Sequence, residues 1–226
     1  MAENGRDGAA GDGGAERAGR RSARRPRAAY HHGDLRAALL AAGEAELAES
    51  GLSGFSLRAT ARRAGVSHAA PAHHFANADA LLAALAVLGF ERLVSAMEAE
   101  MAAAGAEPRA RLAAAGRGYV AFARSSPHLF RLMFFGKRPQ NLPGDAPREA
   151  PGRAFASLRG AVLAVQGAGV PETEIARDIA AAWGLVHGLA HLLIEEAAAG
   201  FLRPFGEAER EAIVAGAIER FAASLP

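Results

Sequence analysis

The sequence has no cysteine, a single lysine among its 26 basic residues, and only 6% aromatic side chains. The absence of cysteine excludes disulfides, thiolate metal sites and a cysteine nucleophile. No apolar run reaches the roughly 18 residues that a membrane-spanning helix needs. The polar, arginine-rich N-terminal segment also lacks the apolar region of a secretory signal. We therefore expect a cytoplasmic protein that makes no membrane contact.

Small and aliphatic residues dominate what is present. Hydrophobic residues make up 50% of the 226 residues, and alanine is the commonest of them, with leucine next. Alanine is the best helix former and packs poorly in sheets. The composition therefore predicts an all-α protein, large enough to bury a core.

The positive charge is concentrated in the first third of the chain. Residues 17–75 hold ten arginines and four acids, a net charge of +6, whereas residues 1–16 carry −3 and the remainder −1. Such asymmetry suggests nucleic acid as one partner. A coding bias toward arginine explains the scarcity of lysine equally well.

Residues 1–28 contain almost no large apolar side chains, so they are predicted to be disordered. Two interpretations of this segment are open: a solubilising tail, or an arm that contacts DNA phosphates or a groove. Under the second interpretation Arg24 and Arg25 are candidate contacts. The basic side chains of the arm are Arg17, Arg20, Arg21, Arg24, Arg25 and Arg27.

The spacing of apolar residues predicts helices along the rest of the chain, with no strand-like alternation. We expect a three-helix domain over residues 29–80 and a larger helical domain over residues 81–226. Residues 136–151 hold four prolines and are predicted to be a loop. The predicted helices run from Asp34 to the glycines at 51 and 54, from Ser56 to Gly65, from Ser67 to Phe75, from 77–79 to about 104, and roughly over 108–124, 127–135, 152–166, 171–199 and 207–223.

Residues 56–75 are the most informative stretch, because two short predicted helices are joined there by a tight turn. Gly65 allows the positive φ that such a turn requires, and Val66 and Phe75 are candidates for the small core beneath it. Ser56 and Ser67 are predicted to begin the two helices. This arrangement is typical of a helix-turn-helix, although spacing alone fits a plain helical hairpin equally well.

These residues resemble the tetracycline-repressor-like (TetR) family of bacterial transcription regulators over about residues 31–93. A C-terminal feature, the Trp183, His187 and Gly188 of AAWGLVHGLAHLL, resembles the Trp-His-Gly motif of one subgroup, as does the segment from Ser126 to Phe134. The N-terminal matches are Gly33-Asp34-Leu35-Arg36, Gly51, Leu57-Arg58, Ala61-Arg62, Ala64-Gly65-Val66-Ser67, His74-Phe75 and Leu81-Leu82.

The resemblance implies a ligand-responsive regulator, a repressor in the first instance, that binds a palindromic operator as a homodimer. Each subunit would place the segment from His68 to His74 in a major groove, with His68, Ala69 and His73 at base edges. The resemblance places phosphate contacts at Arg58, Ser67, His31 and the arm arginines.

Two positions depart from the family pattern. The family usually has a tyrosine where Ala72 stands and a lysine where Ala78 stands, and both often bind phosphate. Their loss is expected to weaken non-specific affinity and to flatten its salt dependence, because each phosphate contact adds about 0.9 to the salt slope. The arginine arm is a hypothetical compensation.

In the family, the later helices hold a ligand cavity and the last two long helices form the dimer interface. The corresponding dimer helices here are residues 171–199 and 207–223. Aromatic and apolar residues spread over several helices suggest a cavity for a small apolar or amphipathic inducer. Each of these residues, taken alone, also fits an ordinary position in the hydrophobic core. The candidate ligand-binding residues are Tyr119, Phe122, Phe130, Met133, Phe134, Phe155, Trp183 and His187.

No cofactor is expected, but two other functions remain as alternatives. His187, His191 and Glu195 follow each other at four-residue intervals on one helix, a spacing that suits a zinc ion and would allow metal-assisted hydrolysis. No nucleophile–base set or glycine-rich phosphate loop accompanies them. The second alternative is a protein that coats nucleic acid without sequence preference through its arginine arm.

Overall fold

A computed structural model describes residues 35–135, 146–195 and 200–226 of the chain. The described residues form eight α-helices and two short 3₁₀ segments, Ala70–His73 and Gly200–Leu202, and contain no strand. The all-α prediction is confirmed. The α-helices are α1 (Leu35–Gly54, kinked at Gly51), α2 (Leu57–Arg63), α3 (Ala78–Ala103), α4 (Pro108–Ser125), α5 (Pro127–Phe135), α6 (Ala146–Gln166), α7 (Glu172–Ile194) and α8 (Glu207–Ser224).

Side-chain caps explain where several helices begin. The Ser56 hydroxyl accepts a hydrogen bond from the Ala59 amide at 3.2 Å, and the Asn77 side chain accepts one from the Ala80 amide at 2.9 Å. Both bonds satisfy amides that have no partner inside the helix. The predicted starts of α2 and α3 are therefore observed, whereas the predicted cap Asp34 lies outside the described residues.

Helix α6 begins at Ala146, six residues before its predicted start, so part of the predicted loop is helical. Pro147 falls in the first turn, where a missing amide hydrogen costs nothing because that amide has no helical partner. Pro151 lies inside the helix and removes one hydrogen bond. Burial of Ala150, which is 1% exposed, supports the extra turn through packing. Helix α7 ends at Ile194, earlier than predicted.

Helices α3 and α4 form the centre of the fold. Helix α3 packs against α1, α4, α5 and α6, while α4 packs against α5, α6, α7 and α8. The two helices approach so closely that a Cβ on Gly118 would lie 2.6 Å from the carbonyl oxygen of Ala96. By length and composition α3 also passes as a membrane span, but its buried side chains, among them Leu85, Leu93 and Met97, belong to the main core.

Candidate DNA-reading turn and ligand cavity

The turn after α2 has the geometry that its glycine predicts. Gly65 has a φ of +70°, and its amide donates to the carbonyl of Arg62 at 3.1 Å, while the Val66 amide donates to the carbonyl of Ala61 at 3.0 Å. This pair of bonds is the Schellman motif, which closes a helix at a residue in the left-handed region. The chain therefore leaves α2 in a fixed direction and places Ser67 and the following residues beside it.

The segment after the turn is a 3₁₀ helix over Ala70–His73 rather than the predicted helix from His68 to His74. Pro71 has no amide hydrogen, so the first α-helical bond, back to the carbonyl of Ser67, cannot form. The Ala70 amide bonds that carbonyl instead, at 3.0 Å. The N-cap position is Ala69, where no side chain forms a capping hydrogen bond, so Ser67 does not begin the segment through its hydroxyl.

The side chains around this segment divide into a buried and an exposed set. Pro71 and Phe75 are buried, and the Arg36 guanidinium lies 5.6 Å from the centre of the Phe75 ring. Val66 is half-buried and packs against the same core. The residues predicted to face DNA are all exposed: Arg58, Ser67, His68, Ala69, His73 and His74. Arg24, Arg25 and His31 lie outside the described residues.

The three arginines of α2 differ in their partners. Arg63 donates to the buried carboxylate of Glu46 at 3.3 Å and to that of Glu49. The hydrogen bond with Glu49 is the main reason why the pKa of Arg63 is raised. Arg58 and Arg62 are exposed, and within the described part of the chain neither is paired with a carboxylate. Arg62 is not among the contacts predicted from the sequence, although its spacing of four from Arg58 puts both side chains on one face of α2.

A cavity of about 430 Å³ opens among the later helices, a size typical of small-molecule sites. Six of the eight predicted ligand-binding residues line it: Tyr119, Met133, Phe134, Phe155, Trp183 and His187. Other wall residues, which the sequence did not predict, come from four helices: Phe90, Leu93, Met97, Leu112, Pro151, Leu158, Ile218 and Phe221. Helical spacing does not predict them, because it shows only that a helix face is apolar. It does not show whether that face packs against another helix or lines a cavity.

Phe122 and Phe130 do not reach the cavity. Both belong to the buried core, at 5% and 0% exposure. The Phe130 ring packs behind the wall, with its centre 5.9 Å from that of Tyr119 and 5.3 Å from that of His187. These two residues are therefore core residues, and the ligand-binding role predicted for them is corrected.

The polar part of the cavity wall is concentrated at one place. The Tyr119 hydroxyl lies 2.8 Å from Nδ1 of His187. Burial raises the pKa of Tyr119 well above its usual range, and a hydrogen bond from the Trp183 side chain opposes part of that rise. Burial and the charge of nearby His191 lower the pKa of His187. Both groups are therefore neutral at pH 7, and the described residues that line the cavity include no Asp, Glu, Lys or Arg.

The candidate metal ligands do not converge. His187 faces Tyr119, while Glu195 accepts a hydrogen bond from Nε of Arg131 at 3.0 Å and forms an ion pair with the same guanidinium, whose Nη2 lies 2.9 Å from Oε1. Among the described residues no group of three His, Asp or Glu side chains is placed to hold a metal ion. The four-residue spacing along α7 is therefore not enough to bring these side chains to one point.

Comparison with known proteins gives two family matches. Residues 39–85 match the model described as "Bacterial regulatory proteins, tetR family", and residues 112–221 match "Tetracyclin repressor-like, C-terminal domain". The first match contains the turn at Gly65, and the second contains most of the cavity wall. No protein among the curated ones matches the chain.

Solved structures share the fold over most of the chain. A protein of unknown function from Rhodococcus sp. RHA1 is 36% identical, with a TM-score of 0.72, covering 88% of this chain and 98% of its own. The TetR-family regulator PfmR from Thermus thermophilus is 18% identical, with a TM-score of 0.60 and coverage of 83% and 98%. FadR from Bacillus subtilis, solved with stearoyl-CoA, is 15% identical, with a TM-score of 0.63 and coverage of 84% and 99%.

The two family matches, taken together, fall on both halves of the described structure. The N-terminal match contains the helix-turn-helix at Gly65, and the match to the C-terminal domain follows it and contains most of the cavity wall. The chain belongs to the tetracycline-repressor (TetR) family of bacterial transcription regulators.

Proposed function

We propose that this TetR-family regulator binds a palindromic operator as a homodimer and releases it, or binds it more tightly, when a small apolar or amphipathic molecule occupies the cavity. One observation carries the proposal: the same chain exposes a short segment after Gly65, residues 67–74, and forms an apolar cavity elsewhere. We call residues 67–74 the reading segment. The structure of FadR with stearoyl-CoA supports a small-molecule ligand for this fold. We also propose that the protein is cytoplasmic and has no enzymatic activity.

The exposed residues divide into two kinds of DNA contact. We assign base-edge contacts to His68, Ala69 and His73, which lie on the reading segment, with His74 at its end. Phosphate contacts fall to Ser67 and Arg58, and we add Arg62 because it shares the exposed face of α2 with Arg58. His31 and the arm arginines Arg24 and Arg25, which lie outside the described residues, are proposed as further phosphate contacts. Ala72 is exposed and too short to reach a phosphate, so the arginines carry the larger share of the affinity.

The open faces of α7 and α8 supply the proposed dimer interface. On α7 the side opposite the core exposes Ala181 and Gly184, and a Cβ at Gly184 or Gly188 would meet nothing within 4 Å. On α8, Ile213 is 38% exposed. Small residues let two helices approach closely, and an exposed large apolar side chain favours a partner surface. The two reading segments would then be held at a fixed separation.

Helix α5, like α3, contacts both the cavity and α1 of the DNA-reading part. Met133 and Phe134 line the cavity, while His128, near the other end of α5, lies 3.5 Å from the Glu44 carboxylate on α1. The same carboxylate accepts a hydrogen bond from Arg92 of α3 at 2.6 Å. A ligand that moves α5 would therefore move α1. The ligand changes the affinity for DNA only to the extent that it binds one arrangement of these helices more tightly than the other.

The first experiment selects DNA sequences from a random duplex library with the purified full-length protein, and then measures affinity for the selected and a scrambled duplex. We expect an enriched palindrome, bound by two protomers, with selected DNA preferred at least about a thousandfold. His73→Ala should relax the sequence preference at one position of each half-site. Equal affinity for both duplexes would instead identify a protein that coats DNA without sequence preference.

The interface is tested separately with Gly184→Arg. The substitution adds a long charged side chain to an open face, so we expect a folded monomer by light scattering and a loss of operator binding. Gly160→Arg on α6, where a Cβ also meets nothing within 4 Å, is the matched control and should remain a dimer. A dimeric Gly184→Arg variant would exclude this face.

A further inference from the structure

The cavity concentrates its hydrogen-bonding capacity at one point and has no charged wall residue among those described. We propose that it selects an uncharged, mainly apolar molecule that carries one carbonyl or hydroxyl oxygen, and that the Tyr119–His187 pair binds this oxygen. The inference deepens the proposed ligand response and rests on the same cavity. It concerns the chemistry of the ligand and is independent of the DNA sequence that is read.

The first step is the absence of a compensating charge. The described residues of the wall contain no acid, lysine or arginine, and apolar side chains cover most of it. The two titratable wall groups, Tyr119 and His187, are neutral at pH 7, because burial shifts the pKa of each away from its charged form. His191 is the nearby group that lowers the pKa of His187 further. A carboxylate or ammonium on the ligand would lose its hydration here without gaining an opposite charge.

The second step is the donor that the polar point offers. The Tyr119 hydroxyl and Nδ1 of His187 lie 2.8 Å apart, and the tautomer of the imidazole decides which of them donates. Where Nδ1 accepts, the ring proton is on Nε2; where Nδ1 donates, the hydroxyl hydrogen of Tyr119 points elsewhere. In both tautomers the pair has one further N–H or O–H donor, so a ligand oxygen that accepts a hydrogen bond suits it.

The third step is the shape of the apolar wall. The His187 ring packs against Phe134, with centres 4.8 Å apart, and against Trp183, with centres 6.3 Å apart. Phe155 and Trp183 line the cavity and are 48% and 44% exposed, so they border its opening to solvent. Flat rings on several sides favour a ligand with a flat or cyclic apolar body. The polar point lies beside this aromatic surface.

The experiment compares three molecules that share a naphthalene ring and differ only in one substituent. 2-Acetylnaphthalene carries a neutral acceptor, 2-ethylnaphthalene has none, and 2-naphthoate is an anion. Each displaces the uncharged fluorescent probe N-phenyl-1-naphthylamine from the purified full-length protein at pH 7.5. We expect the acetyl compound to bind about fivefold more tightly than the ethyl compound, which corresponds to one net hydrogen bond. The anion should bind at least about tenfold more weakly than the acetyl compound.

Variants assign the preference to the polar pair. Tyr119→Phe keeps the ring and removes the hydroxyl, so it should abolish the preference for acetyl over ethyl while leaving the ethyl affinity within about twofold. His187→Asn should also abolish it and serves as a second variant should the first misfold, with helical content checked by circular dichroism. Phe134→Leu, a wall change without a polar atom, is the matched control. It should weaken both neutral compounds alike.

Four results would overturn the inference: tighter or equal binding of 2-naphthoate, equal binding of the acetyl and ethyl compounds, a preference that survives in both polar variants, or no probe binding up to its solubility limit. Because no DNA is present, these results are separate from a failure of operator binding. A protein that shows the expected preference but ignores every duplex would overturn the proposed regulation and leave the ligand chemistry intact.

Discussion

The DNA-reading part and the cavity part place their polar groups in opposite ways. Around Gly65 the chain buries Pro71 and Phe75 and leaves histidines and arginines in solvent. Around the cavity, Tyr119 is 6% exposed and bonds His187, 68 residues away. The first part suits a polar surface such as DNA, and the second suits a molecule that leaves water. The difference also separates what short-range sequence patterns determine from what only packing determines.

The largest expected effect concerns the packing on which the cavity part depends. Gly118→Ala adds a Cβ that would lie 2.6 Å from the Ala96 carbonyl oxygen and 2.8 Å from the Met97 Cα. Both are backbone atoms, so α3 and α4 must separate, and we expect a loss of about 1–3 kcal/mol in the free energy of unfolding. Urea denaturation measures it.

Gly160→Ala is the control for this substitution, because its Cβ would meet nothing within 4 Å. In an exposed helical position alanine is favoured over glycine, so the control should be as stable as the wild type or up to about 1 kcal/mol more stable. Equal losses in the two variants would mean that the close approach of α3 and α4 is not what makes glycine necessary at position 118.

The second prediction concerns the turn of the DNA-reading part. Gly65 has a φ of +70° and open space around its Cα, so the cost of Gly65→Ala comes from the backbone alone, at about 1–2 kcal/mol. Operator affinity should fall with it, because the direction of the reading segment depends on this residue. A variant with unchanged urea midpoint and unchanged affinity would show that the turn geometry is not needed.

The local character of this turn explains how much the sequence predicts. The cap at Ser56, the turn at Gly65 and the burial of Phe75 all depend on residues close together in the chain, and all three are observed. The reading segment differs from prediction only because Pro71 cannot donate its hydrogen bond. By contrast, helical spacing could not separate Phe122 and Phe130, which pack into the core, from Tyr119 and Phe134, which reach the cavity.

The third prediction separates two neighbouring arginines. Arg62→Ala should leave the urea midpoint unchanged, weaken operator binding and lower the slope of log affinity against log salt by about 0.9, if Arg62 contacts one phosphate. Arg63→Ala should do the reverse. It removes a partner of the buried Glu46 carboxylate, so the urea midpoint should fall while the salt slope stays the same. Identical effects of the two substitutions on both measurements would refute the division of roles along α2.

The smallest expected effect is a pH dependence of stability that arises in the cavity. Burial lowers the pKa of His187 in the folded state. Below a pH of about 6.5 this imidazole therefore binds a proton in the unfolded chain but remains neutral in the folded one. The stability contributed by the neutral ring is therefore complete above that pH and is lost as the pH falls toward the folded-state pKa. We expect the urea midpoint to drop more between pH 7.5 and 5.5 in the wild type than in His187→Asn. The two proteins differ only at position 187, so the comparison isolates the ionisation of His187 together with its interaction with His191. Equal drops would show that burial does not keep the His187 ring neutral in solution.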